Sequence, residues 1–219
     1  MTAPFAVIFD MDGVLFDTEV IALRCWGEAA KTLRLSGWKE LYPQCIGITQ
    51  PKTRALWVKH WGEENTEAFG KEILAIYDRD YAGRPVPQKP GAAEILEALS
   101  RRGIPIAVAS STPEARVRQH LGEHGFLPQF DAVIGGDRLQ RSKPAPDIFL
   151  LAAEALGAEP ERCFVIEDSF NGIRAAAAAH MRPIMVPDML PPTEEIAGMA
   201  EVVTEDLFGA LEFLMNYPQ

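Results

Sequence analysis

The chain has 219 residues, enough for one domain with a full core and a smaller inserted domain. Its composition of 47% apolar and 24% charged residues is typical of a soluble globular protein, and it lacks the run of about 18 apolar residues that a membrane helix needs. The formal net charge of −10 argues against a general nucleic-acid binder, which requires a basic surface.

The first predicted element is a strand at residues 5–9, an apolar run that ends at Asp10. Continuous apolar runs are typical of parallel strands that are buried on both faces. Residues 1–9 contain no basic region, so we expect no signal peptide and a cytoplasmic protein. Cys25, Cys45 and Cys163 are odd in number and lack CxxC spacing, and we expect them to be free thiols.

Helical patterns replace strands between Asp17 and Tyr81. Asp17 or Thr18 can cap a helix, and further helices are predicted at residues 53–61 and 66–81. The buried stripe of the first helix is predicted to contain Ala22, Trp26, Ala29 or Ala30, and Leu33, and Trp57 and Trp61 are expected in the core of the same unit. Residues 82–91 are rich in proline and glycine and suit a domain crossing. The sequence therefore predicts a helical domain at 17–85 inserted into a domain formed by 1–16 and 86–219.

Strands and helices alternate in the rest of the chain. Further strands are predicted at residues 104–109, 130–134, 163–166, 183–186 and 201–203, with helices at 92–99, from Ser111-Thr-Pro-Glu114 onward, at 148–156 and at 171–180. This alternation indicates an α/β fold with a parallel sheet. His120 and His124 have metal-ligand spacing but no acidic or cysteine partner nearby, so we expect them on a solvated helix face. Asp188, Glu194 and Glu195 are expected in a charged loop and helix start without an assigned function.

Polar and charged residues stand at the ends of three predicted strands and in one loop. They are Asp10-Met-Asp12-Gly13, Ser110-Ser-Thr112, Lys143-Pro144 and Glu167-Asp168-Ser169. Each group alone has a structural explanation, such as a solvated turn or a helix cap. Together they are predicted to meet at one edge of a parallel sheet, where ligands bind. Four acids in one place need a divalent cation, which with Lys143 would supply the positive charge that the chain lacks overall.

The sequence resembles the haloacid dehalogenase superfamily, in the β-phosphoglucomutase-like branch with a small helical cap. The resemblance rests on Phe9-Asp-Met-Asp-Gly-Val-Leu-Phe-Asp-Thr-Glu19, Ala109-Ser-Ser-Thr112, Ser142-Lys-Pro-Ala-Pro-Asp147 and Ile166-Glu-Asp-Ser-Phe-Asn-Gly172, in the family's order. It implies a Rossmann-like three-layer core with an inserted, small all-helical cap. It also implies that Asp10 is the nucleophile that accepts a phosphoryl group, and that Asp12 is the acid for the leaving oxygen and then the base for water.

The resemblance further implies a phosphate site and a metal site. Ser110, the Ser111 amide and Thr112 would hold the transferring phosphate, and Lys143 would neutralise it and orient Asp10. Mg²⁺ would be bound by Asp10, Asp168 and the backbone carbonyl of Asp12, with Glu167 in support. In the cap, the residues expected to set specificity are Gly47, Thr49, Gln50 and Lys52. Residues 16–18 and about 84–88 would form the hinge.

The resemblance leaves the reaction open between several activities. We favour a phosphatase that acts on a small phosphorylated metabolite, such as a sugar phosphate, as a monomer or weak homodimer that binds neither nucleic acid nor membrane. Mutases of this branch have a cap histidine where this chain has Ala22, and basic residues around the cap glycine where residues 45–50 have none; the nearest cations are Lys52 and Arg54. A dehalogenase would lack Asp12, and a non-catalytic binding module would be expected to lose some of these acids. The mutase therefore remains the main alternative.

Overall fold

The computed structural model describes residues 5–217 and contains a six-stranded sheet in which every pair of neighbouring strands is parallel. The strands are β1 (Ala6–Phe9), β2 (Ile106–Ser110), β3 (Ala132–Gly135), β4 (Cys163–Glu167), β5 (Arg182–Met185) and β6 (Val202–Val203). Their order in the sheet is β3-β2-β1-β4-β5-β6. All six predicted strands are confirmed, and so is the α/β class.

Nine α-helices accompany the sheet in the described part of the chain. They are α1 (Thr18–Leu33), α2 (Trp38–Cys45), α3 (Gln50–Tyr81), α4 (Ala92–Arg101), α5 (Glu114–Glu123), α6 (Asp147–Leu156), α7 (Phe170–Ala178), α8 (Glu194–Met199) and α9 (Leu207–Asn216). The helix predicted at 148–156 ends where expected, because the next residue, Gly157, is the left-handed C-cap of α6 with φ of 63°. None of the helices within residues 5–217 combines the length and hydropathy needed to cross a bilayer.

The side chains of the central strands alternate between two apolar cores. Val7 and Phe9 of β1 belong to the larger core, which includes α4, α9 and the inserted helices, whereas Ala6 and Ile8 face the core formed with α6 and α7. This period-two alternation gives helix, sheet and helix layers. It also explains why the strands have unbroken apolar sequences, since both faces of each strand are buried.

Helices α1 to α3 are inserted between β1 and β2 and form the cap. Its core is aromatic: the Trp26 ring meets the rings of Tyr42, Trp57 and Phe69 edge to face, with centroids 4.8, 5.0 and 5.4 Å away. Trp61 packs on Phe69 with centroids 4.7 Å apart. Trp57 and Trp61 therefore belong to the cap core, as expected. The two predicted helices at 53–61 and 66–81 are the two halves of α3, which is kinked at Gly62 (φ 80°, ψ 170°).

The sequence analysis and the structure differ at three helices. The sequence pattern does not predict helix α2, because this helix has only eight residues and contains Pro43. Neither Asp17 nor Thr18 caps α1 through its side chain. The hydroxyls expected to cap α5 are engaged in the site described below; the N-cap residue is Pro113, and Asp137 Oδ1 accepts a hydrogen bond from the Glu114 amide at 2.8 Å.

The chain enters and leaves the cap at neighbouring points. The Asp17 amide donates to the carbonyl of Pro87 at 2.8 Å, and the Lys89 amide donates to the carbonyl of Leu15 at 2.9 Å. Phe16 forms an isolated antiparallel bridge with Gln88. The two crossings are therefore held side by side at the positions proposed for the hinge. The domain boundaries at 17 and 85 stay a prediction, and the core's outermost residues, 1–4 and 218–219, lie outside the described residues.

Candidate active site

The candidate site lies where the strand order changes direction beside β1. Strand β1 pairs with β2 on one side and with β4 on the other, so a crevice opens at their carboxyl ends. Asp10 follows β1, and its amide donates to the Ile166 carbonyl of β4 at 2.9 Å. Ser110 ends β2 and Glu167 ends β4. The topology therefore brings three of the four sequence groups to one edge of the sheet.

Lys143, from the loop before α6, completes this arrangement. Its side chain is fully buried, and Nζ lies 2.5 Å from both Asp10 Oδ1 and Glu167 Oε1. Nζ also lies 4.9 Å from the centroid of the Phe149 ring. Burial by itself would lower the pKa of Lys143, but the two carboxylates outweigh it and raise that pKa above its usual value. The lysine is therefore a fixed positive charge between two acids.

Three buried acids are arranged so that a cation fits between them. Asp10, Glu167 and Asp168 each offer an oxygen, and these oxygens lie within 4.8 Å of one another. Burial raises the pKa of Asp10 despite the nearby Lys143, and burial followed by the charge of Glu167 raises the pKa of Asp168. Both shifts therefore disfavour the ionised carboxylates, chiefly because the groups are buried, and neighbouring acids add to the effect. Oxygen ligands of this charge suit a hard divalent cation, and the family resemblance implies one.

Glu167 is less free to bind a metal directly than the other two acids. Its Oε1 accepts a hydrogen bond from Lys143, and its Oε2 accepts one from the Ser169 amide at 2.7 Å. This geometry suits a residue that holds Lys143 in place and supports the metal site indirectly. Asp12 does not belong to the carboxylate cluster: its Oδ2 accepts hydrogen bonds from Ser110 Oγ at 3.0 Å and Thr112 Oγ1 at 2.9 Å.

The cap covers this edge and encloses a cleft of about 520 Å³. Gly47 and Gln50 line the cleft together with Asp10, Asp12 and Asp168. The Ser111 hydroxyl donates to the Gly47 carbonyl at 3.2 Å, so cap and core are in contact here. A Cβ at Gly47 would lie 2.5 Å from Ser169 Oγ, which leaves no room for a side chain.

The other two cap residues of the sequence prediction lie apart from the cleft lining. Thr49 is the N-cap of α3, and Lys52 is exposed, with Nζ 3.4 Å from the Ser142 carbonyl. The Lys52 contact joins the cap to the loop that carries Lys143. A specificity role for these two residues stays a prediction.

A half-buried acid of the cap, Glu19, lines the cleft and is assigned no role from the sequence patterns. Glu19 Oε2 accepts a hydrogen bond from the Tyr42 hydroxyl at 2.5 Å, and burial raises the pKa of Glu19 to about 7. In the sequence, Glu19 ends the first motif of the family resemblance and is an acid in the first turn of α1, where acids are common for electrostatic reasons. The partner tyrosine lies on α2, the helix that the sequence pattern does not predict, so the pair cannot be recognised from local patterns.

The interpretation of His120 and His124 as surface residues is wrong. His120 is buried and lines the cleft, and both rings pack against Phe16 with centroid distances of 6.0 and 4.9 Å. Burial lowers the pKa of His120, which favours the neutral ring. Arg116 Nε donates to His120 Nε2 at 3.2 Å, and its guanidinium lies 5.0 Å from the Tyr77 ring centroid. Arg116 is thus a cleft-wall cation that the sequence patterns do not indicate.

Comparisons with known proteins agree with this site. A family model described as haloacid dehalogenase-like hydrolase matches residues 6–180. The chain is 32% identical over 184 residues to the phosphorylated carbohydrates phosphatase of Thermotoga maritima (82% of this chain, 83% of that one). It is 30% identical over 217 residues to hexitol phosphatase B of Escherichia coli (93% and 96%). The crystal structure of a CbbY mutant from Rhodobacter sphaeroides with xylulose-(1,5)bisphosphate superposes with a TM-score of 0.74 at 28% identity, covering 94% and 95%.

Proposed function

The chain belongs to the haloacid dehalogenase-like hydrolase family and is a phosphoric monoester hydrolase, and from that premise we propose that it dephosphorylates a small phosphorylated metabolite through an aspartyl-phosphate on Asp10. The observation that carries this proposal is the Asp10 carboxylate, held by the buried Lys143 beside Asp168 at the bottom of a cleft. Sugar phosphates are the proposed substrate class. Two relatives named as a carbohydrate phosphatase and a hexitol phosphatase support that choice.

In the first step, an oxygen of Asp10 attacks the phosphorus atom. The new oxygen–phosphorus bond forms as the ester bond to the leaving oxygen breaks, and Asp12 gives that oxygen a proton. Lys143 holds one oxygen of Asp10, which fixes the orientation of the carboxylate and offsets the charge of the phosphoryl group. The hydroxyls of Ser110 and Thr112, which here bind Asp12, and the Ser111 amide are proposed to bind the phosphoryl oxygens.

In the second step, water attacks the aspartyl-phosphate. Asp12, now without its proton, accepts a proton from this water as the water oxygen bonds to phosphorus. The bond to Asp10 then breaks and inorganic phosphate leaves, which restores the Asp10 carboxylate and the protonated form of Asp12. A positioned acid and base of this kind contributes roughly 10²–10⁴-fold to the rate. The cap contacts through Gly47 and Lys52 are proposed to limit the access of bulk water during the first step.

We propose Mg²⁺ as the cation, held by Asp10, Asp168 and the backbone carbonyl of Asp12. When bound, Mg²⁺ supplies positive charge that lets the anionic phosphate approach the Asp10 carboxylate. Glu167 holds Lys143 and is itself held by the Ser169 amide, so it would keep the surrounding groups in place. The donor set of carboxylates and a carbonyl is the one that Mg²⁺ prefers.

Removing the metal is expected to stop turnover. We expect EDTA to abolish release of p-nitrophenol from p-nitrophenyl phosphate, and Mg²⁺ to restore it. Mg²⁺ should also raise the Tm, because it neutralises buried carboxylates. Burial raises the pKa of Asp10 and Asp168, so protons should compete with Mg²⁺ and its affinity should fall as the pH is lowered. Full activity in EDTA, with circular dichroism showing an intact fold, would contradict the magnesium proposal.

A mutase activity is separated from hydrolysis by its product. Ala22 lines the cleft where the resemblance places a mutase histidine, and the cleft-wall cation Arg116 is already engaged by Tyr77 and His120. Both observations favour hydrolysis. We therefore expect β-glucose 1-phosphate to yield free phosphate or no reaction. The appearance of glucose 6-phosphate with little free phosphate would instead establish the mutase.

The substrate class is tested with a panel of phosphorylated metabolites. Release of inorganic phosphate should have the highest kcat/KM for sugar and sugar-alcohol phosphates, and much lower values for nucleotides and phosphorylated amino acids. Gly47 and Gln50 of the cleft wall, with Thr49 and Lys52 beside it, are proposed to contribute to this selectivity. A preference for a nucleotide would overturn the proposed class and leave the phosphatase chemistry intact. The cytoplasmic location and the monomer or weak homodimer remain predictions.

A further inference from the structure

Asp188 is a buried acid at the catalytic edge of the sheet that the proposed mechanism does not use. It lies in the loop between β5 and α8, and its side chain is only 9% exposed. In the sequence it resembles an ordinary loop acid. Acids of exposed loops do not need partners, but a carboxylate that is nine-tenths buried does.

The two oxygens of Asp188 have different surroundings. Oδ1 accepts a hydrogen bond from Lys89 Nζ at 2.7 Å. Oδ2 is buried and has no hydrogen-bond partner among residues 5–217. A buried acceptor without a partner costs about 1–3 kcal/mol, and more when it is charged. Such an oxygen indicates that a donor outside the protein chain occupies the space in front of it.

The position of Gly13 shows which way this oxygen points. Gly13 has φ of +76°, and a Cβ built on it would lie 2.4 Å from Asp168 Oδ2 and 3.2 Å from Asp188 Oδ2. The two carboxylate oxygens therefore approach the same point above the Gly13 backbone. Asp168 is one of the three acids that surround the candidate cation position. The free oxygen of Asp188 thus lies close to a carboxylate oxygen of Asp168, beside the candidate cation position.

We propose that Asp188 Oδ2 accepts hydrogen bonds from water molecules of the bound Mg²⁺ and is a positioning residue for the hydrated ion. The inference rests on the proposed function, since it needs the metal. Mg²⁺ gives up its water shell reluctantly and usually keeps several waters when it binds to proteins. Carboxylates that hold such ligands from a distance commonly determine metal affinity.

The charges of the inner groups are consistent with this assignment. Asp10, Glu167, Asp168 and Asp188 contribute four negative charges, and Lys143 and Lys89 contribute two positive charges. Asp17, 3.9 Å from Lys89, and Asp12, beside Asp10, add further negative charge, so this edge of the sheet has an excess of negative charge that a divalent cation would reduce. Lys89 also belongs to the return crossing from the cap, where its amide donates to the Leu15 carbonyl. Its side chain binds only Oδ1 of Asp188 and leaves Oδ2 without a protein partner among residues 5–217.

The test is calorimetric titration of the substrate-free protein with MgCl₂. We expect Asp188→Asn to raise the Kd for Mg²⁺ by about 10–100-fold. At saturating Mg²⁺ its kcat should be within a few-fold of wild type, because Asp188 does not contact the reacting atoms. The matched control is Asp137→Asn, an exposed acid after β3 whose Oδ1 accepts a hydrogen bond from the Glu114 amide, and it should leave the Kd unchanged.

A second variant separates metal positioning from a merely structural ion pair. Lys89→Met breaks the same ion pair but removes a positive charge and keeps the carboxylate. The proposal therefore expects its Kd for Mg²⁺ to be unchanged or lower than that of wild type. A structural role instead predicts that both variants raise the Kd by the same factor and lower the Tm together.

Two results would overturn the inference, and they differ in what else they affect. If wild type binds Mg²⁺ and Asp188→Asn binds it with the same Kd, Asp188 has no positioning role and the proposed function stands. Equal increases in Kd for Asp188→Asn and Lys89→Met would also reject it in favour of the ion pair. If wild type itself does not bind Mg²⁺, this inference and the magnesium proposal fail together.

Discussion

The Asp10→Asn protein is expected to fold but to have no measurable turnover of p-nitrophenyl phosphate, with kcat lowered by about 10⁴-fold or more. Asparagine has nearly the same shape as aspartate, but its amide oxygen is a poor nucleophile and cannot form the acyl phosphate. Lys143 keeps Glu167 as a partner in this variant, so the buried lysine does not become unpaired. The measurement is the initial rate at saturating Mg²⁺, with circular dichroism to confirm the fold.

The stability of the same variant provides an independent check. Burial raises the pKa of Asp10, which means that its ionised form is disfavoured in the metal-free protein. Replacing it with a neutral side chain should leave the metal-free Tm unchanged or higher, and should reduce the rise in Tm that Mg²⁺ produces. Asp137→Asn serves as the control and should behave as wild type in both assays. A rate for Asp10→Asn near that of wild type would disprove the nucleophile assignment.

Replacing Lys143 with methionine is expected to damage both activity and stability. Methionine fills much of the same volume, but it removes the charge that lies 2.5 Å from Asp10 and from Glu167. Breaking a buried ion pair by removing one partner costs about 3–5 kcal/mol. We expect a loss of this size in the free energy of unfolding by urea without metal, and a decrease in kcat of about 10²–10³-fold.

The pH dependence of this loss has a defined sign. Lys143 lowers the pKa of Asp10, so without the lysine that pKa rises further above its unfolded value. A folded-state pKa above the unfolded value gives stability that is present at low pH and is lost as the pH rises through the folded pKa. Because the pKa of Asp10 is about 8 in wild type, the stability difference between wild type and Lys143→Met should grow above that pH and be larger at pH 9 than at pH 6. The control is Lys71→Met, whose side chain is 81% exposed and which should cost little at either pH. A Lys143→Met protein as stable and active as wild type would reject the assigned role.

The sheet and the edge where the site lies can be predicted from the sequence because both follow from local patterns. A strand such as β1 or β4 is buried on both faces, so its sequence is an unbroken apolar run that ends where the polar residues begin. Parallel strands necessarily bring those ends together. The apolar runs alone therefore group Asp10, Ser110 and Glu167 at one edge of the sheet.

The features that the sequence does not predict depend on contacts between distant parts of the chain. Glu19 becomes a cleft residue only because Tyr42 packs against it from α2, a short helix whose internal proline obscures its pattern. His120 is buried, and the hinge residue Phe16, distant in sequence, packs against its ring. The direction of Asp188 depends on Gly13 and Lys89, neither of which is near it in sequence. The hydrophobic periodicity of a single segment does not reveal contacts between residues that are distant in sequence.

The adjacent crossings between core and cap have a consequence for how such proteins diversify. Because the Asp17 amide donates to the Pro87 carbonyl and the Lys89 amide donates to the Leu15 carbonyl, main-chain hydrogen bonds fix the ends of the helical insert next to each other. These hydrogen bonds do not depend on the side chains or on the number of residues in the helical insert. A differently shaped insert grafted between the same two points would leave the reacting carboxylate undisturbed. Evolution can therefore exchange the recognition module while the chemical step is inherited.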